Sequence, residues 1–600
     1  MDKPLIGLPD TVIAPRTDPI YNCHSYLTKV PVAAIEPFIR AFSKPGDVVA
    51  DFFAGSGMTG LAAMMLGRHA HLSDISALGK HIAEGYLIDV LDRDLSEASE
   101  TAVRSARGAI GDLYLTERAS DREAVEMVRT VWSFTYACPH CNAPLVYFEH
   151  LSREGAAAKA CPHCREAFIK RKWGRGEDVP VEVVVRGEDG RQATQEVTGV
   201  DREKIVRAEK DRRRDDVPSL RIEEHREMYS RSGLGKAGLT VTSMFFSARN
   251  AIALLELWRA INGIEKHLVR QKLLFAFTAI LPRASRRYQW SRKRPLNAQN
   301  QTYYIAPVYY EWNVFDLFGR KVGAAMRASE LVRKRVQLRG GTEKPKVTYT
   351  LASGDALTHL SDGTIDYVFT DPPFGSNMFY SDMSLFHEAW LGVVTDHQAE
   401  AVVHTTGKRK AGAEDRYRGL LKRSFDEAFR VLKPRGYMSV VFGNSSGRIW
   451  GLVQRALRDA GFGAAPVHVA ILDKGQRSVK GLSSGSEGVV TVDLILTVRK
   501  SDVRKQVEGV EELRQADTDE LMRAAISELS VEEARNPSHL YARILRIAIR
   551  QHLVLDDLHL SNVLISLRNA GYSVDQKTGL FWGPPLFFCL NKYLRGRTNK

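Results

Sequence analysis

Apolar positions along this chain follow two rhythms, one of period two and one near 3.6, and the order in which they alternate is informative. Residues 30–42 carry a helical pattern, a turn at 43–46 follows, and the apolar run Val48-Val49-Ala50 ends on Asp51. A helix is expected over 59–68 and a second strand over 69–73, ending at Asp74. This is strand–helix–strand order with glycines packed into the first strand-to-helix turn, as in a doubly wound α/β sheet. Residues 76–130 read as charged helices, 179–198 as strand, 201–232 as a charged helix or linker, and 240–280 as apolar, buried helices.

The α/β rhythm resumes at 346. Strands are expected in VTYTLASGDAL and IDYVFT, followed by a long helical stretch, a helix over 421–432 and a turn at Lys433-Pro434-Arg435-Gly436. Then come strand 437–442, helix 448–460 and strands 466–471 and 490–498. The last two suit an antiparallel edge pair on an otherwise parallel sheet. The expected fold class is α/β, a Rossmann-like sheet split by a large insertion and followed by a mainly helical C-terminal extension. The expected boundaries are 1–125 and 346–502 for the two parts of the core, 126–345 for the insertion and 503–600 for the extension.

Composition narrows the class without naming a function. The 600 residues are 44% hydrophobic and 26% charged, ordinary globular usage that excludes fibrous chains and mini-scaffolds. The net charge of +14 permits a polyanionic partner. Six cysteines are too few for a disulfide scaffold, and four of them stand in two Cys-Pro-His-Cys units, Cys138 with Cys141 and Cys161 with Cys164, 19 residues apart. Four thiolates at this spacing match a structural zinc ribbon or knuckle, which makes the insertion a zinc-containing one. Cys23 and Cys589 read as packed thiols. No apolar run reaches the length of about 18 residues needed to span a bilayer, and the start lacks the pattern of a signal peptide. The expectation is a soluble protein of the cytoplasm with no membrane partner.

Candidate chemistry sits on two loops. Asp51-Phe52-Phe53-Ala54-Gly55-Ser56-Gly57-Met58-Thr59-Gly60 holds G-x-G-x-x-G after a strand, with Asp74 and Ile75 at the end of the next strand. A carboxylate at the first strand tip suits a ligand bearing an amino group and a sulfonium better than one presenting pyrophosphate. The reading favours S-adenosylmethionine, against NAD, FAD or a structural turn. Asp371-Pro372-Pro373-Phe374 ends another strand: the carboxylate can accept from an exocyclic amine, Pro372 offers a carbonyl, and Phe374 offers a face for stacking a base. Asp355, with Ala356 beside it, is a candidate for the cofactor's adenine amine or a helix cap.

DFFAGSG together with TDPPF resembles the paired signatures of the amino-methyltransferases that modify adenine N6 or cytosine N4 in DNA, with Phe in place of the commoner Tyr. His24-Ser25-Tyr26-Leu27-Thr28-Lys29-Val30-Pro31 is similar to the segment that closes over the cofactor's methionine end in that superfamily, which adds Lys29 and Pro31 as cofactor candidates. DPPFGSNMFYSDMSLFHEAWL, with Asn377, Tyr380, Ser381, Asp382 and Trp390, resembles a subgroup described as adenine-specific DNA methylases. The resemblance covers about 20–125 and 346–500. It implies site-specific methyl transfer from S-adenosylmethionine to the N6 of a flipped adenine, by direct attack of the amine and without a cysteine nucleophile. Cytosine N4 or RNA as target, and a catalytically silent nucleic-acid-binding protein, are the alternatives.

The stretch 283–294 holds Arg283, Arg286, Arg287, Arg292, Lys293 and Arg294 with Tyr288 and Trp290 and no acid. It reads as a phosphate track with stacking rings or as a solvated loop. Asn297, Gln299, Asn300, Gln301, Tyr303 and Tyr304 follow with base-edge hydrogen-bonding capacity. DNA is therefore the expected partner, with RNA as the alternative, and the insertion is the expected target-recognition region.

Overall fold

The computed structural model describes residues 7–14, 17–154, 159–170, 172–291, 303–338, 345–376, 378–462, 466–473, 492–501, 515, 517–529, 536–569, 573–574 and 581–582. Its strands in chain order are β1 (Thr11–Ile13), β2 (Val48–Asp51), β3 (His69–Asp74), β4 (Leu115–Glu117), β5 (Ala124–Ala137), β6 (Pro144–Val146), β7 (Gly174–Arg186), β8 (Gln192–Gln195) and β9 (Val308–Trp312). After the insertion come β10 (Val347–Leu351), β11 (Ile365–Thr370), β12 (Leu432–Phe442), β13 (His468–Asp473) and β14 (Val492–Arg499).

Eight of these form one sheet in the order β1-β13-β14-β12-β11-β2-β3-β10. Each neighbouring pair is parallel except those made by β14, which runs antiparallel to both β12 and β13. The expected antiparallel pair is present, but it is not the edge, because β1 adds outside β13. Three residues are too few to show a period-two pattern, so the outer strand left no mark in the sequence. The expected turn at 433–436 is a bulge within β12: the pairing with β11 jumps from Ile365↔Leu432 to Tyr367↔Tyr437, and Arg435 takes φ +62°.

Alternate residues of the central strands face opposite layers, as the pleat requires. Val49, Tyr367 and Phe369 pack with helices Val32–Phe42, Met58–Met65, Ala77–Leu87 and Val314–Leu338. Ala50 and Val368 pack on the other face with helices Ala413–Val431, Gly447–Asp459 and the C-terminal helices Thr518–Glu528, Pro537–Arg550 and Leu560–Asn569. The result is a three-layer sandwich with both sheet faces covered, the condition a mostly parallel sheet needs. The chain leaves the sheet after β3 and returns at β10, which pairs with β3.

The excursion builds its own sheet, β4-β5-β7-β8 with β6 and β9 also on β5. This corrects the helical expectation for the end of 76–130: helix Asp92–Ile110 stops at Gly111, and β4 and β5 follow. In β5, Val131, Trp132, Phe134 and Tyr136 pack into a core that the charged start of the segment did not announce. Helix Tyr380–Leu391, which follows the Asp-Pro-Pro-Phe loop, buries Phe386 and Trp390 in that same core. The insertion thus packs directly against the part of the chain that follows β11.

Candidate functional site

The strands deliver the two candidate loops to one place. Asp51 ends β2, Asp74 ends β3, and Asp371 directly follows β11, which lies next to β2. All three line a single cleft with Phe52, Phe53, Ala54, Gly55, Ser56, Thr59 and Ile75 from the glycine loop and the end of β3. Pro373 lines it, as do Lys29 and Tyr380. Ligand crevices of open α/β sheets lie at this carboxyl end of the strands.

The glycine loop is tightly enclosed. Gly55 and Gly57 have φ +45° and +75°, and a Cβ on Gly57 would sit 2.5 Å from the Ala83 Cβ. On Gly55 it would meet the Tyr26 ring at 2.8 Å. The Gly55 N–H donates to Asp74 Oδ2 (2.8 Å), the Ser76 N–H donates to its Oδ1 (2.9 Å), and the Tyr349 hydroxyl donates to the Gly55 carbonyl (2.8 Å). Asp74 therefore organises the loop, while burial raises its pKa.

Asp51 accepts from Thr59 Oγ1 (2.7 Å), Thr370 Oγ1 (2.7 Å) and the Phe53 N–H (3.1 Å). Burial outweighs these donors and pushes its carboxyl up to about 6. The Lys29 Nζ is already engaged: it donates to the carbonyls of Tyr21 and His24, both at 2.6 Å, and burial pulls its pKa down to about 7. Pro31 caps helix Val32–Phe42 and Gly57 caps helix Met58–Met65, each outside the cleft lining.

On the other wall, the Tyr417 hydroxyl donates to the Pro373 carbonyl (2.6 Å) and Asn444 Nδ2 donates to the Phe374 carbonyl (2.8 Å), pinning the proline loop. Pro372 is buried, and Phe374 packs edge-on against Phe442 at 5.1 Å. Neither is part of the cleft lining. The Tyr380 hydroxyl meets Thr28 Oγ1 at 2.8 Å, joining the segment 24–31 to the helix after the proline loop. Asp355 and Ala356 do not line the cleft: the Asp355 carboxylate accepts from Arg423 Nε (2.9 Å), and the preceding Ser353 and Gly354 form the wall instead.

Glu400 is a lining residue that the motifs did not reveal. It accepts from the Tyr380 and Ser381 N–H groups and the Ser381 hydroxyl at the start of helix Tyr380–Leu391, and burial pushes it up to about 7. Nothing in the surrounding loop sequence marks it, because its neighbours come from a segment 20 residues earlier. Tyr26, Ser76 and Thr395 also line the cleft.

The four thiols of the insertion converge. Cys138 Sγ lies 3.6 Å from Cys164 Sγ, and Cys141 Sγ lies 3.7 Å from Cys161 Sγ. A tetrahedral zinc with Zn–S of about 2.3 Å places its sulfurs about 3.8 Å apart, so the cage has the right size. Each hook turns back through a left-handed residue, Asn142 at φ +54° and Arg165 at φ +66°, whose N–H donates to the carbonyl of the first cysteine of its hook. The paired turns are alike, as two halves of one structural metal site require. Cys23 is buried; Cys589 lies outside the described residues.

The basic stretch is largely inside the fold. Arg287 is 4% exposed, with its guanidinium over the rings of Phe386 (4.8 Å) and Tyr303 (5.3 Å), and burial lowers it to about 10. Tyr288 is buried, Arg283 donates to its hydroxyl (3.1 Å), Arg286 pairs with Asp178 (3.2 Å), and Trp290 packs on Phe148 (5.3 Å). These residues do not form an exposed phosphate track. Arg292, Lys293, Arg294, Asn297, Gln299, Asn300, Gln301 and Asn377 lie outside the described residues. No helix among the described residues is long and apolar enough to cross a membrane.

The glycine loop, Asp51 and Asp74 fall within a stretch that matches a known family. The model of a family described as DNA methylase (N6_N4_Mtase) matches residues 13–88, so the stretch from the end of β1 through the glycine loop, Asp74 and helix Ala77–Leu87 is similar to the methyltransferase domains of that family.

Proposed function

We propose that this chain transfers a methyl group from S-adenosylmethionine to the exocyclic N6 of an adenine flipped out of DNA. The observation that carries the reading is convergence: Asp51, Asp74 and Asp371, from segments some three hundred positions apart, line one cleft. The lining fits the cofactor. Its described residues include four carboxylates and one cation, Lys29, whose Nζ is engaged by carbonyls, so the cleft favours a cationic ligand over a pyrophosphate.

Bound there, S-adenosylmethionine would supply a sulfonium methyl: the amine nitrogen forms its bond to the methyl carbon as the S–CH3 bond breaks, the neutral thioether S-adenosylhomocysteine leaves, and one amine proton is released. Asp74 would accept from the ribose hydroxyls, and Asp51 would provide negative potential for the amino and sulfonium groups. Asp371 accepts a hydrogen bond from the target amine, aims its lone pair and takes up the released proton. Pro373, beside Asp371 in the cleft wall, keeps the loop stiff where it faces the target base. Catalysis by such a site is chiefly positioning, which is why the loop is pinned by Tyr417 and Asn444. Zinc held by Cys138, Cys141, Cys161 and Cys164 contributes folding energy to the insertion.

The test is to incubate the protein with labelled S-adenosylmethionine and DNA or RNA and to identify the modified nucleoside by mass spectrometry. N6-methyladenine in DNA is expected. Label in N4-methylcytosine alone, or in RNA alone, overturns the assignment.

A further inference from the structure

A second group of ligating side chains lies away from the cleft and the thiol cage. Glu223, His225 and His397 bring one ligand atom each within 4.8 Å of one another. The Nε2 atoms of His225 and His397 are 2.8 Å apart, and Glu223 Oε2 is 3.4 Å from His225 Nε2. Two neutral imidazoles meet in this way when one donates its Nε2–H to the other. The same approach aims two Nε2 lone pairs at one point when both rings carry their proton on Nδ1.

The dimensions suit an ion. With metal–nitrogen bonds of about 2.0–2.1 Å, two imidazole nitrogens stand about 2.9 Å apart at adjacent positions of a tetragonal site and about 3.4 Å apart in a tetrahedral one. The observed 2.8 Å between the two Nε2 atoms is close to the tetragonal spacing. The side chains of His225 and Glu223 are 51% and 46% exposed, so an ion can enter from solvent and keep water in its remaining positions. Imidazole with carboxylate and no thiolate selects a late first-row divalent metal over calcium or magnesium.

The charges around the group are compatible with this. Arg226 follows His225, and its guanidinium is taken by Asp382 (3.1 Å) and Glu223 (3.5 Å). Arg409 donates to the His397 carbonyl at 3.4 Å.

The position gives the group a purpose. Glu223 and His225 belong to the insertion, whereas His397 stands in the loop whose Thr395, Ala399, Glu400 and Ala401 line the cleft. The far end of that loop is already docked: Glu227 accepts from the Thr405 hydroxyl and from the N–H groups of Thr405 and Thr406. We propose that Glu223, His225 and His397 form a divalent transition-metal site that staples the insertion to the loop lining the cleft.

The experiment uses the full chain with its four-cysteine site filled by zinc, titrated with cobalt(II) chloride. One further equivalent should bind and give a visible d–d band without the thiolate charge-transfer band that cobalt in the cysteine cage would produce. Hydrogen exchange over 395–406 should slow as it binds. His397→Ala and His225→Ala should each weaken cobalt binding at least about tenfold and abolish the slowing. Both side chains contribute little to the core, and unchanged thermal melts verify that the variants fold. No cobalt band, a band retained at full affinity in the two variants, or binding without slower exchange of the loop overturns the proposal. It rests on this geometry alone, so a failure to find methyl transfer leaves it standing.

Discussion

Asp51 is held between opposing influences: burial disfavours its charge, and three donors favour it. Its folded pKa of about 6 lies above the ordinary 3.8, so between these values the folded chain binds more protons than the unfolded one. The contribution of Asp51 to stability is therefore fully present below the lower value and lost as pH rises through about 6. Binding of a cationic cofactor runs the other way, since it needs the carboxylate. Cofactor affinity measured by calorimetry should fall as pH drops below about 6, with proton release on binding; Glu400, near 7, adds a second inflection that Glu400→Gln removes. A flat profile would remove Asp51 from cofactor binding. At Asp371 the expectation is a split: Asp371→Ala should lower transfer by about 10²-fold or more while cofactor affinity is retained. Comparable turnover in that variant would end its proposed role. Both aspartates were legible because each stands at the end of a short apolar strand beside its motif, whereas Glu400 acquires its place only through helix Tyr380–Leu391.

Among elements, the insertion depends on two fastenings of different kinds. The cysteine hooks join the β5–β6 turn to the segment before β7, beside Tyr136, Leu145, Phe148 and Trp173 of the insertion's core. Cys161→Ser, or chelation, should release one metal ion per chain by native mass spectrometry and lower the melting temperature. Retention of metal in the variant would show the cage to be something else. The second fastening is Arg249–Glu311, both 2% exposed, which ties helix Ala248–Asn262 to β9, with Trp132 of β5 donating to Glu311 at 2.9 Å. Removing one partner, as in Glu311→Ala, leaves a buried charge and should cost about 3–5 kcal/mol in chemical denaturation. The double change Arg249→Met, Glu311→Leu should recover much of that loss. The hooks could be read from spacing because a metal site is local. The ion pair could not, since its partners are 62 positions apart and each looks like a surface charge in its own helix or strand. Arg287 misleads for the same reason: its cation is satisfied by aromatic faces supplied from distant segments.

At the scale of the molecule, the two halves of the sheet were recognisable from their strand–helix rhythm. What the pattern could not show is the depth of the join, in which helix Val314–Leu338 packs on the core sheet and helix Tyr380–Leu391 on the insertion. The same split has a temporal side. Val49 of β2 pairs with Tyr367 of β11, so the middle of the sheet joins residues made far apart in time. At roughly 5–20 residues per second, synthesis separates the two strands by about 15–60 s. Throughout that interval β2 presents an unpaired edge while the insertion is already emerging and able to fold, which makes the open side of β2 the place where a nascent chain of this protein most needs protection from wrong partners.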